Sequence, residues 1–213
     1  MELIEIDFGN DSKQSGSDAA IMVDKSQGSF YTWGGANAVV IEPNLWRFDP
    51  NGKGSGEWVD VTPNNSSDTF FKLQRSSLAS VASTDDAAFI FGGQVDSRTE
   101  TEPEKNGEIG YRIFNFTTQE WNEVTNMPSS YGQTVYAGSA VFAPDFGPNG
   151  FIFMLGGLRN NTNSNSGLDF RTLHMMDPVS QTWYEQKTTG RAPGSRFSLC
   201  SAGVSTADGR FDM

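Results

Sequence analysis

The chain has 213 residues, 19% of them charged, and a formal net charge of −11 at pH 7. This length is enough for one domain with a sizeable core. The negative charge argues against binding to nucleic acid or to an anionic membrane surface, because both depend on Lys and Arg side chains that meet phosphate groups. No apolar run approaches the about 20 residues that cross a bilayer, so we predict no membrane span.

The chain opens on residues 3–8, which alternate apolar and acidic side chains. This alternation predicts a half-buried strand and is not typical of a signal peptide. Polar residues follow, and two apolar runs, 19–23 and 29–33, then have the length of strands. The second of these runs ends at a pair of glycines, which indicates a turn with positive φ or a close approach of two backbones.

The same pattern occurs three times along the chain. Each copy has an apolar run that ends at a glycine pair, a later strand that ends at an acidic or amide residue, and then a tryptophan. The glycine pairs are Gly34 and Gly35, Gly92 and Gly93, and Gly156 and Gly157. The later residues are Asp49 and Trp58, Asn115 and Trp121, and Asp177 and Trp183.

This constellation resembles the kelch motif, in which a glycine pair ends the second strand of a blade and a tryptophan opens the fourth. The glycine pairs are 58 and 64 residues apart, somewhat above the kelch period of about 50. The resemblance covers nearly the whole chain and implies an all-β structure, a β-propeller of four-stranded blades. The asparagine-rich loops look most like those of kelch propellers from fungal cell-surface proteins.

The resemblance divides residues 1–213, interpreted as one kelch-type propeller domain, into repeats. Blade one spans about 17–62, with strands at 19–23, 29–33, 45–49 and 58–61. Blade two spans about 76–125, with strands at 77–83, 87–91, 111–115 and 121–124. Blade three spans about 138–186, with strands at 139–143, 151–155, 172–177 and 183–185. A fourth repeat begins over 196–213, opening on a strand at 196–204.

We therefore expect a partial propeller of about three complete blades with half-blades at both ends, the first half-blade being the strand at 3–8. A larger propeller of which this chain is a fragment is the favoured interpretation. A truncated gene product, an open half-ring and self-association are the alternatives.

No catalytic, cofactor-binding or metal-binding residue is predicted. The three tryptophans and the glycine pairs recur at fixed positions, which favours packing roles. Some kelch propellers are enzymes, notably the galactose-oxidase group, whose copper site needs several histidines and a tyrosine joined to a cysteine. The only histidine here is His174, which aligns with Trp46 and Arg112, and the only cysteine is Cys200. We predict a structural His174 and a buried, inert Cys200 thiol in a strand.

Carboxylates cluster around blade two, and the sequence favours a solvated acidic loop over a calcium site, because proline and lysine interrupt the alternation of ligands. The residues of this cluster are Asp85, Asp86, Glu100, Glu102, Glu104 and Glu108.

The connections between second and third strands are long, at 36–44, 94–110 and 158–171. Long loops at one strand junction emerge on one face, so we predict that a protein or glycan partner binds the acidic loop 94–110 and the flexible polar loop 158–171. Asn-x-Ser/Thr sequons predict N-glycosylation at Asn10, Asn64, Asn65 and Asn160, with Asn115 the least suitable.

Three functions stay open at this point. A non-enzymatic scaffold of a secreted or surface-anchored fungal protein fits the absence of a histidine cluster. The second is a propeller enzyme, galactose-oxidase-like or of another kind, whose active residues lie in further blades. The third, an intracellular kelch adaptor in the cytoplasm, would carry no glycan on its sequons.

Overall fold

A computed structural model describes residues 16–37, 43–52, 54–64, 69–100, 110–125, 127–128, 131, 135–161 and 164–213. The predicted strand at 3–8 lies outside these residues. Sheet one contains β1 (Ala20–Asp24), β2 (Ser29–Trp33), β3 (Leu45–Pro50) and β4 (Gly56–Asp60). A 3-10 turn (Thr69–Lys72) precedes sheet two, which contains β5 (Ser80–Ser83), β6 (Ala87–Phe91), β7 (Tyr111–Asn115) and β8 (Trp121–Val124).

The remaining strands form sheet three and two small sheets. They are β9 (Val135–Tyr136), β10 (Ser139–Ala143), β11 (Phe151–Leu155), β12 (Leu158–Asn161), β13 (Ser164–Gly167), β14 (Thr172–Met176), β15 (Trp183–Lys187), β16 (Val204–Ser205) and β17 (Phe211–Asp212). Sheet three has the order β10-β11-β14-β15, so all three main sheets are four-stranded antiparallel meanders. The all-β prediction and the three four-stranded blades are thus confirmed, whereas the assignment of the whole chain to one domain stays a prediction.

Blade one accommodates its three extra residues by lengthening the hairpin between its third and fourth strands. The pairing continues past Asp49 to Pro50 and Gly56, and the backbone N–H of Asn51 donates to the carbonyl of Ser55. The fourth strand consequently begins before Trp58, where the sequence had predicted its start. The spacing between the motif residues changes while the order of the strands does not.

The glycine pairs join each blade to the next one. Gly92 and Gly93 have φ angles of 57° and 103°, and the Gly93 N–H donates to the Val135 carbonyl at 2.9 Å. A Cβ on Gly92 would collide with that same carbonyl oxygen. The other two pairs repeat this arrangement against Ser76 and Arg196. Glycine is therefore required both by the left-handed backbone and by the close approach of the neighbouring chain.

A second link between blades involves backbone atoms alone. The N–H of Leu78 donates to the carbonyl of Asp18 at 3.1 Å, that of Ala137 to Leu78 at 2.8 Å, and that of Ser198 to Ala137 at 2.7 Å. All four residues have positive φ angles, between 51° and 58°. Ser198 thus occupies the place in a fourth repeat that Ala137 occupies in the third.

The core lies between the sheets. Met22, Trp33, Ile90, Phe114 and Trp121 belong to one buried cluster shared by sheets one and two. A second cluster lies between sheets two and three, and its largest members include Phe91, Tyr111, Tyr131, Ile152 and Met154. Burial of these faces from water is the main force that holds neighbouring blades together.

Three local predictions are wrong. Residues 196–203 form no strand, and the fourth repeat instead supplies the short hairpin of β16 and β17. The predicted strand at 77–83 begins only at Ser80, because Leu78 takes the left-handed conformation of the inter-blade link. The connection 158–171 is not simply a flexible loop, because β12 and β13 pair as a hairpin and β12 also pairs with β9.

Candidate functional site

The motif tryptophans are packing residues, and their burial differs. Trp121 is 4% exposed and packs against Trp33 of blade one with ring centroids 4.9 Å apart. Trp183 is half-buried and packs against Phe91 of blade two at 5.8 Å. Trp58, also half-buried, contacts Phe48 of its own sheet at 5.1 Å. No flat aromatic platform for a ligand results from these positions.

The motif aspartate and asparagine hold the turn between third and fourth strands. Asn115 Oδ1 accepts the N–H groups of Thr117 and Thr118, both at 2.9 Å. Asp177 Oδ1 accepts those of Val179 and Ser180 in the same way. Burial acts to raise the pKa of Asp177, but these hydrogen bonds and one from Asn149 outweigh it, so the pKa lies below its usual value.

Asp49 departs from this role because its hairpin is longer. Its carboxylate accepts two hydrogen bonds from Arg47, from Nε at 2.8 Å and from Nη2 at 2.7 Å. The hydrogen bond to Asp49 is the main cause that raises the pKa of Arg47, and Tyr31 adds to it. Such a bidentate pair fixes both side chains on the same end of sheet one.

The long connections leave the three sheets at one end, directly after the glycine pairs, and we call this end the loop face. Between neighbouring connections, the Asn37 N–H donates to the carbonyl of Arg98 at 3.0 Å. Arg98 also pairs with Asp96 at 2.6 Å. Residues 38–42, 101–109 and 162–163 of these connections lie outside the described part of the chain.

Beneath the loop face, Arg112 and His174 occupy the same position of blades two and three, as the alignment of the repeats predicted. Arg112 is 1% exposed, and its Nη2 lies 3.4 Å from Glu123 Oε1. Its guanidinium carbon lies 5.7 Å from the centroid of the Trp33 ring. Burial lowers the pKa of Arg112 to about 10. The group is thus still charged at neutral pH and joins blade two to blade one.

His174 is buried beside the Tyr131 ring, with centroids 5.3 Å apart. Burial lowers its pKa, although Glu185 at 4.0 Å acts in the opposite direction and Arg159 adds to the lowering. The neutral imidazole is therefore the ordinary form at neutral pH. With a single histidine in the chain, this environment is that of a core residue.

The remaining candidates are spread over the molecule. Cys200 is exposed and lies outside any strand, so the prediction of a buried thiol is wrong. The reason is that residues 196–203 form no strand. Asp85 and Asp86 lie in the turn between β5 and β6, away from Glu100, which pairs with Arg75 at 3.1 Å.

Glu102, Glu104 and Glu108 lie outside the described residues. Within the described ranges, no three His, Cys, Asp or Glu side chains are close enough together to hold a metal ion.

The predicted glycosylation sites differ in what the structure describes. Asn64 is exposed, and Asn160 lies in β12, whereas Asn10 and Asn65 fall outside the described residues. Asn115, the least suitable site by sequence, uses its side chain to hold a turn. Glycosylation itself stays a prediction.

Sequence reasoning missed a polar pocket of about 470 Å³ between blades one and two, at the end of the sheets opposite the loop face. It is lined by Asp24, Ser26, Gln27, Ser29, Tyr31, Arg47, Asp49, Pro50, Phe116, Thr117 and Gln119. These residues come from β1, β2, β3 and the β1–β2 turn of blade one, and from the turn after β7. We call it the blade-one pocket. The available signal was the presence of polar residues at strand positions that are apolar in the other two repeats.

Comparison with known proteins agrees with the repeat pattern. No protein-family model matches the chain. Over 92 residues the chain is 34% identical to a Kelch repeat-containing protein of Arthroderma benhamiae. The matched stretch covers 42% of this chain and only 13% of that relative. Within the described ranges, no helix is long and apolar enough to traverse a bilayer. The repeated motif, the three four-stranded sheets and this similarity support a kelch-type β-propeller fold for the chain.

Proposed function

We propose that this chain is a non-enzymatic interaction scaffold that binds a protein or glycan partner through the connections 94–110 and 158–171. The observation that carries this proposal is that these connections leave rigid sheets at the same end. The Asn37–Arg98 hydrogen bond joins the blade-one connection to that of blade two. Loops gathered on one face of a rigid scaffold are a common place for recognition.

The chemistry of the two connections supports a polar partner. The hairpin of β12 and β13 has the sequence Leu-Arg-Asn-Asn and Ser-Asn-Ser-Gly, so it is polar except at Leu158. The connection 94–110 is acidic by sequence. The one histidine of the chain is buried and neutral beneath this face, which supports a binding role over acid–base chemistry.

We propose an extracellular or cell-surface setting within a longer fungal protein. The exposed Asn64, which is the first residue of a sequon, supports this setting. A chain that stays unmodified after secretion would instead favour the cytoplasmic adaptor.

The test places a photo-crosslinking amino acid either at Arg98, on the loop face, or at Asp85, in an exposed turn at the other end. Each variant is incubated with intact fungal cells and, separately, with a glycan array. Crosslinks that form from Arg98 and not from Asp85 are expected. Equal labelling from both positions would contradict a partner on the loop face.

A second variant replaces residues 94–110 by the nine-residue connection of blade one, and Asp85→Asn is the matched control. The replacement should abolish binding to fungal cells and to those array glycans that crosslink from Arg98, while the control should bind as the parent does. Retained binding after the replacement would overturn the assignment to this loop.

A further inference from the structure

The blade-one pocket owes its polarity to three strand positions. When the sheets are aligned on their glycine pairs, these positions carry polar side chains in blade one and apolar ones in the others. They are Ser29 against Ala87 and Phe151, Tyr31 against Phe89 and Phe153, and Arg47 against Ile113 and Met175. Three positions at which blade one differs from the other repeats thus line one pocket. Blades two and three use apolar residues at these positions, so packing does not require a polar side chain there.

The pocket wall is held in place by hydrogen bonds. Asp24, which is 1% exposed, accepts bonds at Oδ1 from the N–H and hydroxyl of Ser26 and from the Gln27 N–H. The bidentate pair of Arg47 and Asp49 fixes the opposite wall. The donors and acceptors are therefore preorganised, which reduces the entropy that a ligand must lose.

One polar atom of the wall has no role within the fold. Ser29 is 3% exposed, and its hydroxyl oxygen has no hydrogen-bond partner among the described residues. A buried hydroxyl without a partner destabilises a protein, whereas the alanine of blade two shows that the position needs no hydroxyl. A ligand group in the pocket would supply the missing partner.

We propose that the blade-one pocket binds a neutral sugar residue, either free or as the terminal unit of a glycan. A sugar hydroxyl donates to a carboxylate and accepts from a guanidinium at the same time, and the wall offers both groups in Asp49 and Arg47. The two carboxylates outnumber the single guanidinium, which disfavours anionic ligands. Tyr31 and Phe116 also line the pocket, with ring centroids 5.9 Å apart, and both belong to the buried core cluster of sheets one and two.

The size of the pocket agrees with this ligand class. Small-molecule pockets commonly enclose about 300–1,000 Å³. At about 470 Å³ the pocket is large enough for a sugar ring with its ordered water. Because it lies at the end of the sheets opposite the loop face, its occupancy is independent of the scaffold function proposed above, and failure of one does not imply failure of the other.

The test titrates the full chain with D-glucose, D-mannose and D-galactose, each followed by saturation-transfer NMR and by amide chemical shifts. N-acetylneuraminic acid serves as an anionic probe and mannitol as an open-chain polyol. Saturable binding of at least one hexose, with millimolar or lower Kd, and shifts confined to the pocket are expected. No saturable binding, equal binding of mannitol, or preference for the anion would overturn the proposal.

Three substitutions take their new residue from another blade, so the fold has already accepted it at that position. They are Ser29→Ala, Asp49→Asn and Thr117→Val, the last copied from Val179. Loss of one hydrogen bond should weaken hexose binding about threefold to tenfold for Ser29→Ala, and more for Asp49→Asn, whose bonds are charge-assisted. The reciprocal change Val179→Thr, on an exposed turn of blade three, is the matched control and should have no effect.

A stability measurement separates binding from a structural role. Ser29→Ala should leave the melting temperature of the free chain unchanged or raise it, because it removes a buried hydroxyl without a partner. A lower melting temperature together with unchanged hexose affinity would assign Ser29 to the fold and overturn its role in the pocket.

Discussion

Removal of the Trp121 side chain tests whether the blades are held together by the packing between them. Trp121 is 4% exposed and contacts Trp33, Phe70 and Phe114, with ring centroids 4.8–5.9 Å apart. A buried aromatic side chain removes about 150–250 Å² from water. At about 25 cal/mol per Å² this corresponds to about 4–6 kcal/mol. Because alanine retains part of this area and the site partly collapses, we expect Trp121→Ala to cost about 3–5 kcal/mol.

The expected loss of stability for Trp121→Ala is large compared with total free energies of unfolding of about 5–15 kcal/mol. Urea denaturation followed by far-UV circular dichroism measures it, provided that the slope m is the same for parent and variant. Trp58→Ala is the matched control, since Trp58 has the same place in blade one but is half-buried and contacts mainly its own sheet. We therefore expect the order Trp121, Trp183, Trp58 instead of three equal losses. A cost below about 1 kcal/mol for Trp121→Ala, typical of surface positions, would refute inter-blade packing as the role of this residue.

Three further outcomes are expected. In the same urea assay, Gly92→Ala should lower the free energy of unfolding by about 1–3 kcal/mol more than Gly209→Ala does. Both glycines have positive φ, but only a Cβ at position 92 would press against the Val135 carbonyl. Equal losses would show that the close approach of the two backbones is unimportant. The pKa of His174 is lowered in the folded chain, so the unfolded chain binds more protons than the folded chain as the pH falls through about 6.5. The free energy of unfolding should therefore decrease between pH 7.5 and pH 5.5, and His174→Gln should make this decrease smaller. When the chain is expressed behind a signal peptide in a eukaryotic host, the exposed Asn64 should carry a glycan. Endoglycosidase treatment should then reduce the mass of the parent chain and leave the mass of the Asn64→Gln variant unchanged.

The strands were predictable because their signals are local. Ala87–Phe91 is an apolar run of strand length that ends at a glycine pair, and its predicted and observed bounds agree. The repetition of this pattern fixed the order of strands within each sheet, since adjacent segments of a meander pair with each other. The packing role of Trp121 followed from the recurrence of a tryptophan at the same place in every repeat.

What the sequence did not reveal depends on contacts between distant segments. The residues of β12 and β13 are mostly polar and typical of a loop, yet they pair as a hairpin, and β12 also pairs with β9 from a distant part of the sequence. The blade-one pocket joins Ser29 and Arg47 to Thr117 of the next blade, and no local pattern brings these residues together. Cys200 was expected in a strand because neighbouring side chains are small and apolar, a composition that does not require pairing.

The backbone link through Asp18, Leu78, Ala137 and Ser198 shows which positions carry information about function. These four residues share a left-handed conformation and the same chain of hydrogen bonds, but no common side chain. The geometry between blades is therefore independent of side-chain identity at this link. At the strand positions of Ser29 and Arg47 the opposite holds, since blades two and three both carry apolar residues there. A polar group at such a position lowers stability unless something compensates for it, which is why Ser29 and Arg47, rather than the motif residues, are where a function specific to this chain is best sought.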